Sequence, residues 1–117
     1  MISHQDISAN LRCVTLTGRL DIKGTEEIAQ EFTALSAAAK RCVIVDLSGL
    51  TILASIGIRA LISNGKALQK MGGSMALVVG DNAIVTKTLE TTGISVLLKM
   101  FKTQPEAERS LLDNNKQ

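Results

Sequence analysis

The spacing of apolar side chains changes several times along the chain, and each change predicts an element. Residues 11–17 alternate, with Val14 and Leu16 on one side and Cys13, Thr15 and Thr17 on the other, which predicts a β-branched strand ending at Gly18. The stretch around residues 2–7 can pair with it as a hairpin through Ser8, Ala9 and Asn10. From Thr25 the period becomes helical. Ile28, Phe32, Leu35 and Ala39 share a face, Glu26, Glu27 and Glu31 gather near the start, and Lys40 and Arg41 close the end in accord with the helix dipole. This predicts a helix over 25–39.

Cys42-Val43-Ile44-Val45-Asp46-Leu47 is a continuous apolar run with one acid near its end, the pattern of a strand covered on both faces in the middle of a parallel sheet. A loop through Ser48 and Gly49 follows. Ile58, Leu61, Ile62, Gly65 and Leu68 then repeat at helical spacing, so a helix begins near Ile56, runs to Met71 and is stopped by Gly72 and Gly73. Residues 75–79 form the next buried strand, ended by Gly80. Asp81 or Asn82 caps a short helix carrying Ile84, Val85 and Leu89, which Gly93 ends before a strand over 96–101. Thr103 and Glu106 have capping-box spacing, with Pro105 tolerated in the first turn, so a last helix runs to about Leu112 and the tail 113–117 frays. Alternation of strands and helices produces crossovers and parallel pairing, with helices covering the sheet and the N-terminal hairpin adding an antiparallel edge.

The chain has 117 residues, 45% hydrophobic, 21% charged and 2% aromatic, enough for one aliphatic core without disulfides or metal and too few for two domains. Thirteen basic against eleven acidic residues are interspersed without forming a block, and Phe32 and Phe101 are the only aromatics, so the charge argues against a nucleic-acid binder and stacking platforms are missing. Cys13 and Cys42 lie inside predicted strands without CxxC or Cys/His clustering and are read as buried thiols of a reducing compartment. Neither a secretory leader pattern nor an apolar run of membrane-spanning length occurs. The expectation is a cytoplasmic protein without membrane insertion.

Catalytic constellations are scarce. His4 is the single histidine and sits near a terminus without an evident Ser or Cys partner, so it is read as a surface histidine and histidine-based metal clusters are excluded. The nine glycines spell neither phosphate-cradling loop. Asp21, Asp46 and Asp81 fall at or near strand ends, where turn and cap duties explain them. The chain is therefore read as a non-enzyme that needs no cofactor.

Ser55 stands out. It lies beyond the central strand, just before the apolar helix, at the end of an α/β sheet where partners and ligands are usually met. As a cap its oxygen would accept first-turn amides, a contribution of about 1 kcal/mol. Phosphate there would add a charge of about −1.5 to −2 where free amides and the helix dipole favour an anion. Arg59, Lys66 and Lys70 recur at i, i+7 and i+11 on one face of that helix and suit the steering of an acidic partner.

Gly18-Arg19-Leu20-Asp21, then residues 43–50 (VIVDLSGL), residues 55–61 (SIGIRAL) and residues 72–78 (GGSMALV) resemble, in order and spacing, the STAS-domain family of bacterial anti-sigma factor antagonists. The resemblance spans about residues 3–112. It implies a mixed sheet, mostly parallel with an antiparallel N-terminal edge, covered by about four helices. It also implies a partner-switching circuit, in which an anti-sigma factor acting as a serine kinase of the histidine-kinase ATPase type phosphorylates the antagonist and a metal-dependent PP2C-like phosphatase reverses this. The unphosphorylated form binds the kinase, which releases its client.

By that resemblance Ser55 falls on the phosphorylated serine, Gly57 on the glycine two places on, and Asp21 on the acid of the G-x-L-D turn close to the phospho-site. Together with Ala54 and Ile56 of the same loop and the cations Arg59 and Lys66 read from helical spacing, these residues make up the expected docking surface: Asp21, Ala54, Ser55, Ile56, Gly57, Arg59 and Lys66. The chain departs from the family's Asp-Ser-Ser/Thr-Gly at Ala54 and Ile56, losing an acid before the serine and a hydroxyl after it. Those departures support an alternative, a non-phosphorylated STAS accessory subunit of a lipid-trafficking ABC transport system. A monomer or weak dimer fits either reading.

Overall fold

The computed structural model describes residues 1–37 and 42–115, and the closing end of the first predicted helix, with Lys40 and Arg41, lies outside them. Five strands, β1 (Ile2–Ser8), β2 (Leu11–Leu20), β3 (Cys42–Leu53), β4 (Ser74–Val78) and β5 (Lys99–Phe101), form one sheet in the order β1-β2-β3-β4-β5. The hairpin β1–β2 is antiparallel and every other pairing is parallel. Four helices accompany it: α1 (Ile22–Ala37), α2 (Ser55–Lys70), α3 (Ala83–Thr92) and α4 (Gln104–Asn115). This is the mixed sheet and helix complement that the apolar pattern predicts.

A parallel sheet in sequential order with crossovers of one hand sends its connecting helices to the same face. Ile28 and Phe32 of α1, Ile58, Leu61 and Leu68 of α2, and Val85 and Leu89 of α3 accordingly share one core with Val14, Leu16, Val43, Val45, Leu47 and Leu77. The other face is closed by α4, whose Ala107 and Leu111 pack on Leu11, Cys13, Cys42, Ile44, Ala76 and Val78. Both cysteines are thus buried and not joined in a disulfide, as read from the sequence, and Arg12 ties the hairpin to α1 by donating to Asp6 and to the Leu35 carbonyl.

Several boundaries move. β2 passes through Gly18 to Leu20 and β3 passes through Ser48 and Gly49 to Leu53, paired across two register shifts at 15/17 and 18/19. Gly18 adopts φ +85 at the second shift, open to glycine at no steric cost. The expected loop at Ser48-Gly49 is therefore strand, because long-range pairing with β2 overrides the local turn signal. Asn82 clamps this segment, its side-chain amide donating to the carbonyls of Ser48 and Leu50 while its oxygen caps α3 at the Val85 amide. The strand expected over 96–101 is shorter, since Ile94–Val96 forms a 3-10 turn after the left-handed Gly93. Helix α1 begins at Ile22 rather than Thr25, and α4 spans Gln104–Asn115, past the expected end near Leu112.

Candidate phosphoacceptor and docking site

The carboxyl ends of β2 and β3 lie side by side, and the Ala54 amide donates to the Leu20 carbonyl at 2.9 Å. Helices α1 and α2 therefore start next to each other. Because β3 runs to Leu53, a single extended residue remains before α2. That residue is Ala54, with φ −93 and ψ 169, and it makes no side-chain capping bond. The expected cap, Ser55, is instead the first helical residue, and its side chain is exposed. The amides of Gly57 and Ile58 both donate to the Ala54 carbonyl, whereas those of Ser55 and Ile56 take no backbone acceptor among the described residues.

The other helix starts differ. Asp21 Oδ1 accepts from the Gly24 amide at the start of α1, Asn82 caps α3, and the Thr103 hydroxyl accepts from the Glu106 amide while donating to its carboxylate at the start of α4. Among the four α-helices of the described residues only α2 begins without a side-chain cap, and there two donors are left beside an exposed hydroxyl.

An open groove of about 430 Å³ runs past this hydroxyl, lined by Ile22, Ala54, Ser55, Ile56 and Arg59. Its walls are apolar. Ile22, 65% exposed, forms the side contributed by α1, and Ile56 is half-buried. Ile22 was missed in the sequence; reading Asp21 as the cap of α1 would have placed it at the first, outward-facing helical position. Gly57 is buried under the groove rather than on its surface. A Cβ there would lie 3.1 Å from Leu53 Cδ1, 3.2 Å from Leu20 Cβ and 3.3 Å from the Leu20 oxygen, so glycine lets the first turn of α2 sit directly on the two strand ends.

The three cations of α2 are exposed, but they do not act at one place. Arg59 lines the groove, while Lys66 lies eleven residues beyond Ser55, about 16 Å along the axis, and Lys70 a further turn away. Neither lysine reaches the hydroxyl.

Asp21 faces away from it. Its carboxylate accepts from Gly24 at 2.9 Å and from Arg19 Nε at 3.1 Å, and lines a separate depression with Met1, Gly18, Arg19, Lys23, Gly24 and Glu27. The Gly24 amide, and then the Arg19 guanidinium, hold its pKa below the ordinary carboxylate value. Asp21 thus builds the start of α1 next to the groove without entering it.

Burial, reinforced by the neighbouring Asp46 carboxylate, pushes the Cys13 thiol up and away from the reactive thiolate. No group of three His, Cys, Asp or Glu able to hold a metal occurs among the described residues, and no helix there is long and apolar enough to cross a membrane.

The sequential mixed sheet, its antiparallel first edge and the helix start beyond β3 define an α/β domain of the STAS architecture. The STAS domain family model matches residues 4–107, and the chain belongs to that family. Among solved structures it resembles an anti-sigma factor antagonist from Mycobacterium paratuberculosis, at 20% identity and TM-score 0.85, covering 95% of this chain and 92% of that one. It also resembles the anti-sigma factor antagonist SpoIIAA in its unphosphorylated form, at 18% identity and TM-score 0.78 over 97% of both chains. The Bacillus cell fate determinant SpoIIAA in its phosphorylated form matches at 19% identity and TM-score 0.69, over 94% of this chain and 98% of the other. At these identities the likeness is one of fold.

Proposed function

We propose that the chain is a non-enzymatic anti-sigma factor antagonist whose unphosphorylated form binds a serine kinase of the histidine-kinase ATPase type and whose phosphorylation on Ser55 releases it. The observation that carries this reading is the uncapped start of α2, where an exposed hydroxyl borders an apolar groove and is not committed to capping. Solved structures of SpoIIAA, which shares the fold, exist in both unphosphorylated and phosphorylated forms.

In the forward step Ser55 Oγ attacks the γ-phosphorus of ATP, its proton passes to a base of the kinase, and ADP leaves. Hydrolysis by a PP2C-like phosphatase returns the hydroxyl and frees inorganic phosphate. Binding in the unphosphorylated state draws on Ile22, Ala54 and Ile56, since apolar area removed from water contributes about 25 cal/mol per Å². Ile56, where the family commonly has a hydroxyl, enlarges that area. A phosphate in the same groove brings a charge that must be desolvated on docking, and each 1.4 kcal/mol of such cost is a factor of about ten in affinity.

Kinases of this type, mixed with the protein and labelled ATP, are expected to place phosphate on the peptide containing Ser55. Ser55→Ala is expected to take up none while keeping kinase binding, and Ser55→Asp to bind more weakly. Label entering Ser55→Ala at the parent rate would reject the site.

A further inference from the structure

Arg59 is the one charged residue lining the groove, and nothing in the fold claims it. Arg12 and Arg19 are each committed to a carboxylate, Asp6 and Asp21, whereas Arg59 has no acidic partner among the described residues. We propose that Arg59 is the second half of the switch: it captures phosphate on Ser55 and is thereby withdrawn from an acidic group of the partner that it engages when Ser55 is unmodified. This inference rests on Ser55 being the phosphoacceptor.

The geometry favours capture. Residues four apart on a helix are neighbours, with Cβ atoms about 5–6 Å apart, and an anion placed N-terminal to a cation at this spacing is the better orientation. A phosphate on the first helical residue would also meet the outward amides of Ser55 and Ile56. Competing cations are remote, occupied, or, like Lys23, on the separate depression beside Asp21. Lys66 lies about 16 Å along the axis, beyond the Debye length of about 8 Å at physiological salt, and Arg19 is held by Asp21.

Withdrawal follows from the same arrangement. A guanidinium forms its strong bidentate pair with one oxyanion at a time, and the flanking Ile22 and Ile56 give any such pair a drier setting than open solvent. In the unmodified protein that fork is free to meet a carboxylate presented by the partner alongside the apolar contact. Once Ser55 carries phosphate, the partner's carboxylate loses its counter-ion and faces an anion instead. Release then combines the loss of an attraction with the gain of a repulsion, where repulsion alone would leave Arg59 irrelevant.

Two measurements test this. Phosphoserine is incorporated at position 55 during synthesis, so that no kinase is needed, and its second ionisation is followed by phosphorus NMR. In the parent protein that ionisation is expected to lie about half a unit or more below that of Arg59→Gln, because a neighbouring cation favours the dianion. Lys87→Gln, which removes an exposed charge from α3, is expected to match the parent. Identical titrations for the parent and Arg59→Gln would overturn the capture. The second measurement is kinase binding with and without phosphate. Arg59→Gln is expected to weaken the unphosphorylated complex about tenfold and to shrink the phosphorylation penalty by a similar factor. An undiminished penalty would overturn the withdrawal even if the titration shifts. If the unphosphorylated parent protein binds no such kinase, the Ser55 reading itself fails and withdrawal fails with it, while the titration still reports whether Arg59 holds the phosphate.

Discussion

Helices α1 and α2 start side by side, joined through the bond from Ala54 to Leu20, yet their first turns are built in opposite ways. The start of α1 is closed on itself. Asp21 caps it, Arg19 pairs with the cap, and Gly24 lies so close to the Arg19 carbonyl that a Cβ would collide with the oxygen. The start of α2 is left open, with an alanine in the capping position, two amides facing outward, an exposed hydroxyl and an unpaired guanidinium one turn on. Caps contribute about 1 kcal/mol each, so leaving one out is a small sacrifice of stability that keeps donors available for another group. Apart from Ile22, which forms a groove wall, the closed start is scaffolding and the open one is surface, although the sequence resemblance assigned residues from both to docking.

The largest expected effect breaks the closed side. Gly24→Ala drives its Cβ into backbone that cannot rotate away, which is expected to cost about 3 kcal/mol, near the upper end for overpacking, and to lower the urea midpoint accordingly. An unchanged midpoint would mean that the turn is looser than the contact implies. The counterpart at the groove is Ile22→Ser, at the one position of α1 that lines it. Ile22 is 65% exposed, so stability is expected to stay within about 0.5 kcal/mol, while kinase affinity falls about tenfold through loss of a groove wall. Calorimetric titration alongside the urea melt separates the two, and full affinity in Ile22→Ser would remove α1 from the docking surface.

The asymmetry was only partly legible in the sequence. Strand β2 follows from its alternation, β3 and β4 from their continuous apolar runs and the apolar faces of α1 and α2 from helical period, while Asn82 and Thr103 identify themselves as caps of α3 and α4 by type and spacing. What failed was pairing at a distance. Ser48 and Gly49 carry local turn character, and nothing near them announces that Thr17 to Leu20 pairs with Gly49 to Leu53 and carries the strand past Ser48. That extension of β3 shifts the helix boundary by one residue, turning Ser55 from an apparent cap into an uncommitted hydroxyl. The same kind of slip hid Ile22, because a start at Thr25 leaves it in a loop. The stripe of Arg59, Lys66 and Lys70 was read correctly as exposed, but period does not convey length along the axis, and only the first cation belongs to the groove.

A milder change sharpens the contrast by closing the open start. Ala54 already has the extended backbone of a capping residue, so Ala54→Asp is expected to stabilise the fold by about 1 kcal/mol, through a bond to a first-turn amide and the charge–dipole attraction. Thermal and urea melts read this directly. A neutral or destabilising outcome would show that the amides of Ser55 and Ile56 are already satisfied by solvent as well as by a carboxylate.

The smallest effect concerns the pH dependence of the closed start. The Asp21 pKa is lowered in the fold by the Gly24 amide and the Arg19 guanidinium, so the unfolded chain takes up a proton at higher pH than the folded one. Its stabilising contribution is therefore complete above the unfolded carboxylate value of about 4 and is lost as pH falls through the lower folded value. Asn caps a helix about as well as Asp, so Asp21→Asn is expected to keep most of the stability near neutral pH while flattening the acid limb of a plot of stability against pH. A mutant limb as steep as that of the parent would assign the acid sensitivity to other carboxylates. No corresponding acid limb is expected from the start of α2, where the capping position carries no carboxylate, and comparing Ala54→Asp with the parent below pH 4 would show whether a new one has been created.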